Sequence, residues 1–188
     1  MAPLILASGS VVRRTLLERA GLRLRVEPAE IDEVLPPDAV AGDLAGVLGL
    51  AKARAVAAAH PAAIVIGADQ VLLFRGRPLS KSATRGAARR RLCELSGRWH
   101  SFVSAAAVVS RRHEEVVAQQ VRVRLRRLTS VAIDDYLDSG EWRGCVGCYQ
   151  IENQGAHLVA AVDGDLNAVL GLPLYPLLQA LARCGVRP

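Results

Sequence analysis

One carboxylate interrupts the most apolar run of the chain. Asp69 follows Ala63-Ile64-Val65-Ile66-Gly67-Ala68 and precedes Gln70-Val71-Leu72-Leu73-Phe74. A charged carboxylate left unpaired in such a setting is costly, so Asp69 needs a cation, a hydrogen-bond network or a place where the strand meets a cleft. An Asp bonded to a turn at the strand's exit is the structural alternative. Gly67, two residues earlier, suggests that something approaches the backbone closely there. An acid so placed can accept a proton from water or ligate a metal.

A second group of residues is suited to anions. Leu4-Ile5-Leu6-Ala7 has the character of a buried strand, Ser8-Gly9-Ser10 breaks it, and Val11-Val12-Arg13-Arg14-Thr15-Leu16-Leu17 resumes with helical spacing up to Gly21. A strand, a small-residue turn and a helix with two arginines in its first turn can hold an anion. The free N–H groups and the positive end of the helix dipole face the turn, and Ser8 and Ser10 add hydroxyls. A capped strand–helix connection with two solvated arginines is the plainer alternative. Lys81, just before a helix, could neutralise a phosphate. Glu33, beside Asp32 in a polar loop, could join Asp69 as a second carboxylate for Mg²⁺ or Mn²⁺, or simply belong to a solvated acidic loop.

The elements that must position these residues alternate between strand and helix. A half-exposed strand at Leu22 to Val26 precedes the acidic loop, which Pro36-Pro37 ends. Asp43 begins a helix to about Ala59 with Lys52 on its more polar flank, and His60-Pro61 closes it. Ala63 to Phe74 is apolar on both faces and is expected in the middle of a sheet. A turn at Arg75 to Pro78 and a helix from Ala83 to Leu95 follow. Trp99 to Val109 and Val116 to Leu128 are expected as strands joined by a polar hairpin. Thr129 or Ser130 caps a short helix to Leu137, which Ser139-Gly140 stops. Gly144 to Gly155 is glycine-rich and irregular. Leu158 to Val162 is a strand, and Pro173 opens a last helix to about Ala182. The class is α/β, in one domain or in two lobes sharing a sheet.

Composition removes several function classes. No uncharged run among the 188 residues reaches the length that spans a bilayer. The N-terminus passes into a strand without a basic region or cleavage site, so a soluble cytoplasmic protein is expected. The net charge of +6 comes from 22 arginines and only two lysines, Lys52 and Lys81, which reads as an arginine bias rather than a nucleic-acid footprint. Arg122, Arg124 and Arg126 alternate with Val121, Val123 and Leu125 as a solvated strand face, and no aromatic residue interleaves with them. Cys145 and Cys148 have half the spacing of a zinc site but no second pair, so the four cysteines, Cys93 and Cys184 included, are expected as small core residues.

Taken in order, these segments resemble the Maf family of nucleoside triphosphate pyrophosphatases. Its opening Ser-x-Ser-x-x-Arg-Arg is matched by Ser8-Gly9-Ser10-Val11-Val12-Arg13-Arg14, its acidic loop by Asp32-Glu33 and its helix lysine by Lys52. Its Gly-(Ala/Ser)-Asp strand is matched by Gly67-Ala68-Asp69. Lys81, Leu95-Ser96-Gly97 with His100, Gly147-Cys148-Tyr149 with Glu152, and Gly171-Leu172-Pro173-Leu174 complete the series. The resemblance implies an elongated mixed sheet flanked by helices, two lobes around a central cleft, and commonly a homodimer. It implies hydrolysis between the α- and β-phosphates. Ser8, Ser10, Arg13, Arg14, Lys52 and Lys81 would surround the triphosphate, Asp69 would be base, metal ligand or both, and a divalent metal would sit on Asp69 and Glu33.

Three positions mark branches of that family. The branch acting on dTTP and UTP carries Arg, Thr and Gln where this chain has Val12, Gln70 and Glu152. The branch acting on 7-methyl-GTP carries an aromatic residue, then Gln and Glu. The chain agrees with the second branch at two of the three, and a carboxylate at Glu152 suits the N1–H and amine of guanine. Val12 departs by removing a ring that could stack on a cationic base. Val11, Ser82 and Asn153 also depart from the family pattern. The expected substrate is 7-methyl-GTP or another modified nucleotide, with dTTP, UTP or CTP as the alternative. A nucleic-acid-binding or cell-division regulatory protein without turnover is the rival of another class.

Overall fold

A computed structural model describes residues 2–31 and 40–186, so the acidic-loop residues Asp32 and Glu33 lie outside the described residues. In chain order the elements are β1 (Leu4–Leu6), α1 (Val11–Arg19), β2 (Arg25–Val26), α2 (Leu44–Ala59), β3 (Ile64–Phe74), β4 (Arg77–Leu79), α3 (Arg85–Leu95), β5 (Trp99–Ser110), β6 (His113–Leu125), α4 (Ser130–Asp138), β7 (Val159–Asp163), α5 (Leu166–Val169) and α6 (Leu174–Arg183). One mixed sheet runs β2-β1-β3-β5-β6-β7, with β4 paired to β3. The long apolar run is therefore central, as its composition predicts. The hairpin between β5 and β6 is tighter than expected, with two residues between the strands. The strand expected at Leu22 to Val26 shrinks to Arg25–Val26, and the four-residue α5 was not anticipated.

The chain forms two compact units. The first comprises Met1–Gln70, Val103–Gln119 and Asn167–Pro188, the second Val71–Phe102 and Gln120–Leu166. In the first unit the sheet is covered on both faces. Leu4, Leu6, Ile64, Ile66 and Ala68 point to one side, where Leu17 of α1 and Leu177 and Leu181 of α6 pack on them. Ile5, Ala7, Val65 and Ala107 point to the other, against Ala53 and Val56 of α2. This is the period-2 alternation of a strand buried twice.

Helix α2 approaches the sheet through glycine. A Cβ on Gly67 would stand 2.1 Å from the carbonyl of Gly49 and 2.6 Å from the amide of Ala53. The close approach that Gly67 signals is thus a helix of the same chain. In the second unit α3 packs on α4, with Arg85 and Arg89 ion-paired to Asp134. Arg75 and Gly76 both have positive φ (53° and 75°), the geometry of the tight turn between β3 and β4.

Two glycine replacements separate close packing from propensity. Gly67→Ala forces α2 off the sheet and should cost about 1–3 kcal/mol. Gly86→Ala in α3, where a Cβ would meet only Arg90 Nη1 at 3.7 Å, should stabilise by roughly 0.5–1 kcal/mol. Urea midpoints for both variants check the pair; equal midpoints would contradict the packing described.

Candidate active site

The site forms where β1 ends and β3 continues. The two strands run parallel with Leu4, Ile5 and Leu6 opposite Ile64, Val65 and Ile66, and the amide of Ala7 still reaches the carbonyl of Ile66 at 2.7 Å. Beyond that point β3 has no β1 residue beside it. Asp69 and Gln70 stand there, at the carboxyl end of the parallel pair, where open α/β sheets bind ligands. Ser8 and Ser10 occupy the turn that replaces β1.

Strand alternation sends Asp69 and Gln70 to opposite faces. Asp69 faces α2, where Lys52 stands one turn after Gly49. The Lys52 ammonium lies 3.0 Å from Oδ2 of Asp69, and the amide of Gln70 donates to Oδ1 at 2.8 Å. The Arg13 guanidinium stands 4.0 Å from the same Oδ1. All three charged side chains are largely buried, with 16% of Asp69, 14% of Lys52 and 12% of Arg13 exposed. Lys52 was expected on a polar helix flank. It instead faces the sheet, because the flank holding it is the one that Gly49 draws against β3.

Arg13 binds more than a charge. Its Nη1 donates to the carbonyl of Ala68 at 2.8 Å and to Ser8 Oγ at 3.2 Å, and its Nε donates to the carbonyl of Gly171 at 2.9 Å. Gly171 has φ 96°, and a Cβ there would stand 3.4 Å from Nε. Ser10 caps α1, its Oγ accepting from the amide of Arg13 at 3.3 Å. The N–H groups of Val11 and Val12 have no carbonyl one turn back and remain the anion-directed end of the helix. Arg14 is exposed and pairs with Glu18 at 2.7 Å. Val12 is half-buried in the same turn.

Gln70 points to the α1 and α6 face. Its Nε2 donates to the carbonyls of Ala168 (3.1 Å) and Val169 (2.7 Å) and to Ser104 Oγ (3.0 Å). Ser104, fully buried, donates to the Ala168 carbonyl at 2.6 Å. Together they hold the turn between α5 and Gly171. Sequence reasoning missed Ser104, although it is a lone polar residue in the Val103 to Val109 run just as Asp69 is in its own.

Lys81 and Glu152 belong to the second unit, where both are exposed. Burial pushes the Cys145 thiol up, a hydrogen bond with Gln150 pulls it down, and the charges of Glu152 and Lys81 act on it in opposite directions. The Cys148 thiol donates to Ser82 Oγ at 3.1 Å. All four cysteines are free. Cys148 is buried as expected, but Cys145 and Cys184 are half-buried and Cys93 is exposed, which corrects the expectation of four core residues.

His100 shares a 2.8 Å hydrogen bond with the Tyr149 hydroxyl in the buried part of the second unit. Burial lowers the imidazole to about 4 and lifts the phenol well above its usual range. The unfolded chain therefore takes up a proton on this ring at a higher pH than the folded one. Stability is unaffected above roughly pH 6.5 and falls as the pH drops toward 4. Between pH 7 and pH 5 this group accounts for a loss of about 2 kcal/mol. Urea unfolding of His100→Gln at both pH values should show a correspondingly smaller difference than the wild type; the same difference in both would contradict the assignment.

The likeness to known proteins extends over the whole chain. A dTTP/UTP pyrophosphatase of Moorella thermoacetica is 43% identical over 192 residues, covering 99% of this chain and 97% of that one. A 7-methyl-GTP pyrophosphatase of Bordetella pertussis is 41% identical over 186 residues, covering 98% and 94%. Among solved structures, a HAM1 protein from Coxiella burnetii aligns over 97% of this chain and 100% of its own, with TM-score 0.59 and 17% identity, a likeness of fold. Residues 3–184 match the family described as Maf-like protein, and with these relatives the chain belongs to the Maf family.

Proposed function

We propose that this chain hydrolyses a nucleoside triphosphate between its α- and β-phosphates, releasing the nucleoside monophosphate and pyrophosphate. The observation that carries this reading is Asp69, held by Lys52 and the Gln70 amide beside Arg13, at the carboxyl end of β1 and β3. The relatives named as pyrophosphatases support it.

In this reading the triphosphate lies on the Ser8 to Arg14 turn. The α1 N-terminus, Ser8, Ser10 and Arg13 receive its oxygens, with Arg14 released from Glu18; Lys81 is a further phosphate ligand that the family resemblance implies. Asp69 accepts a proton from a water aligned with the α-phosphorus. The water oxygen bonds to that phosphorus, the bond to the α,β-bridging oxygen breaks, and pyrophosphate leaves with the electron pair. Lys52 and Arg13 offset the charge that builds on the equatorial oxygens.

A divalent cation fits this donor set as a shared ligand. Each Asp69 oxygen keeps lone-pair capacity beyond its one close contact. Mg²⁺ or Mn²⁺ can be held by one or two carboxylates, phosphate oxygens and water. Asp69 and Glu33 would be the protein ligands, and the bound cation would neutralise phosphate charge.

Among bases, 7-methyl-GTP is the first candidate, because the Glu152 carboxylate can accept from both the N1–H and the amine of guanine. Gln70 would influence the base through the α5 turn that its amide holds. dTTP, UTP or CTP is the second candidate. Val12 offers no ring to a methylated base, and the Moorella relative is named for pyrimidine nucleotides.

Pyrophosphate release across these triphosphates with Mg²⁺ and Mn²⁺ tests the base: 7-methyl-GTP should be preferred, and a preference for UTP would establish the second candidate. Asp69→Asn should lower turnover by about 10²–10⁴ while circular dichroism stays native. Undiminished turnover would remove Asp69 from the mechanism, whereas no pyrophosphate release from any triphosphate by the wild type would favour the regulatory rival.

A further inference from the structure

The outer face of the second unit carries an aromatic–arginine arrangement that the triphosphate site does not use. On β6, Val121, Val123 and Leu125 are buried and Arg122 and Arg124 are exposed; Arg126, one residue past the strand's end and beyond a register shift at Arg124/Leu125, is exposed as well. Trp99, 40% exposed, comes from β5 onto the same face. The guanidinium of Arg122 lies 5.1 Å from its ring centroid and that of Arg124 5.5 Å. The arginine row has no aromatic neighbour in sequence, but the sheet gives it one.

This cluster differs from the arginines of the chain that are held in ion pairs. Arg54, Arg183, Arg14, Arg85 and Arg89 each pair with a carboxylate. Here Arg122 bonds Asp163, and Asp135 lines the hollow beside Arg126 without an ion pair to it. Arg124 and Arg126 have no acidic partner among the described residues. Arg122 and Arg124, two apart on the strand, stand about 6.6 Å from one another, comparable to the phosphate spacing of an extended nucleic-acid strand.

The row ends at a hollow. Arg126 lines a cavity of about 220 Å³ together with Asp135, Gln154 and His157, room for one nucleobase with donors and acceptors on its rim. A row of cations, a ring that is 40% exposed and a polar hollow at the end are the parts of a single-strand platform: charge tracks the backbone, and the ring with its stacked guanidiniums takes the bases.

We propose that this face binds single-stranded nucleic acid, separately from the triphosphate site. The backbone runs along Arg122, Arg124 and Arg126, one base stacks on the Trp99–arginine cluster and another enters the hollow. Anisotropy of a labelled single-stranded oligonucleotide of about 12 bases, titrated at several salt concentrations, tests it. Wild-type protein should bind at low salt, with log K falling linearly against log salt. Arg122→Ser with Arg124→Ser should reduce that slope by about 1.4, at roughly 0.7 per phosphate contact. Trp99→Ala should weaken binding roughly tenfold, and both variants should keep the wild-type melting temperature. Absence of binding at low salt would overturn the proposal. So would variants that bind as the wild type does, a base-free polyphosphate that binds as tightly as the oligonucleotide, or a duplex that binds more tightly.

Discussion

A carboxylate inside a sheet covered on both faces must be paired, and the first unit is built around meeting that demand at Asp69. Lys52 comes from α2, Arg13 from α1 and the Gln70 amide from the strand itself. Removing one partner of such a cluster leaves uncompensated charge in poorly solvated surroundings, which costs far more than losing a surface pair. The same cluster is what a polyphosphate requires. Cations are already gathered, Arg13 is oriented by the carbonyls of Ala68 and Gly171, and one acid stands among them.

Two short contacts deliver the geometry. The Gly49–Gly67 approach lowers α2 onto β3 far enough for Lys52 to reach Asp69. The end of β1 at Leu6 exposes β3 just before Asp69, so the carboxylate stands in a sheet without facing another strand there. Arg13 then ties the parts together, bonding Ser8 after β1, Ala68 in β3 and Gly171 before α6. A mobile cation would neutralise Asp69 equally well, but it would not hold three segments at fixed distances in readiness for a ligand.

Much of this was legible before the coordinates. The strand–turn–helix at Leu4 to Leu17, the central strand, Asp69 itself and most helix boundaries follow from apolar period and from Ser, Thr, Gly and Pro at the ends. Residue-by-residue pattern does not show which flank of an alanine-rich helix faces the sheet, because Gly49 and Ala53 carry little hydrophobic signal; the pattern alone puts Lys52 on the more polar flank. Ser104 and the carbonyls that Gln70 binds lie about 34 to 99 residues away in sequence, and only strand order brings them together. Trp99 and the β6 arginines are likewise neighbours across a hairpin, not along the chain. Glu33 lies outside the described residues, so the second carboxylate rests on the family resemblance.

The central claim is that Asp69 directs water to the α-phosphorus. Turnover in ¹⁸O-labelled water, with products resolved by mass spectrometry, tests it most directly. The account predicts one labelled oxygen in the nucleoside monophosphate and none in pyrophosphate. Label in pyrophosphate, or in orthophosphate split from the γ-position, would contradict it.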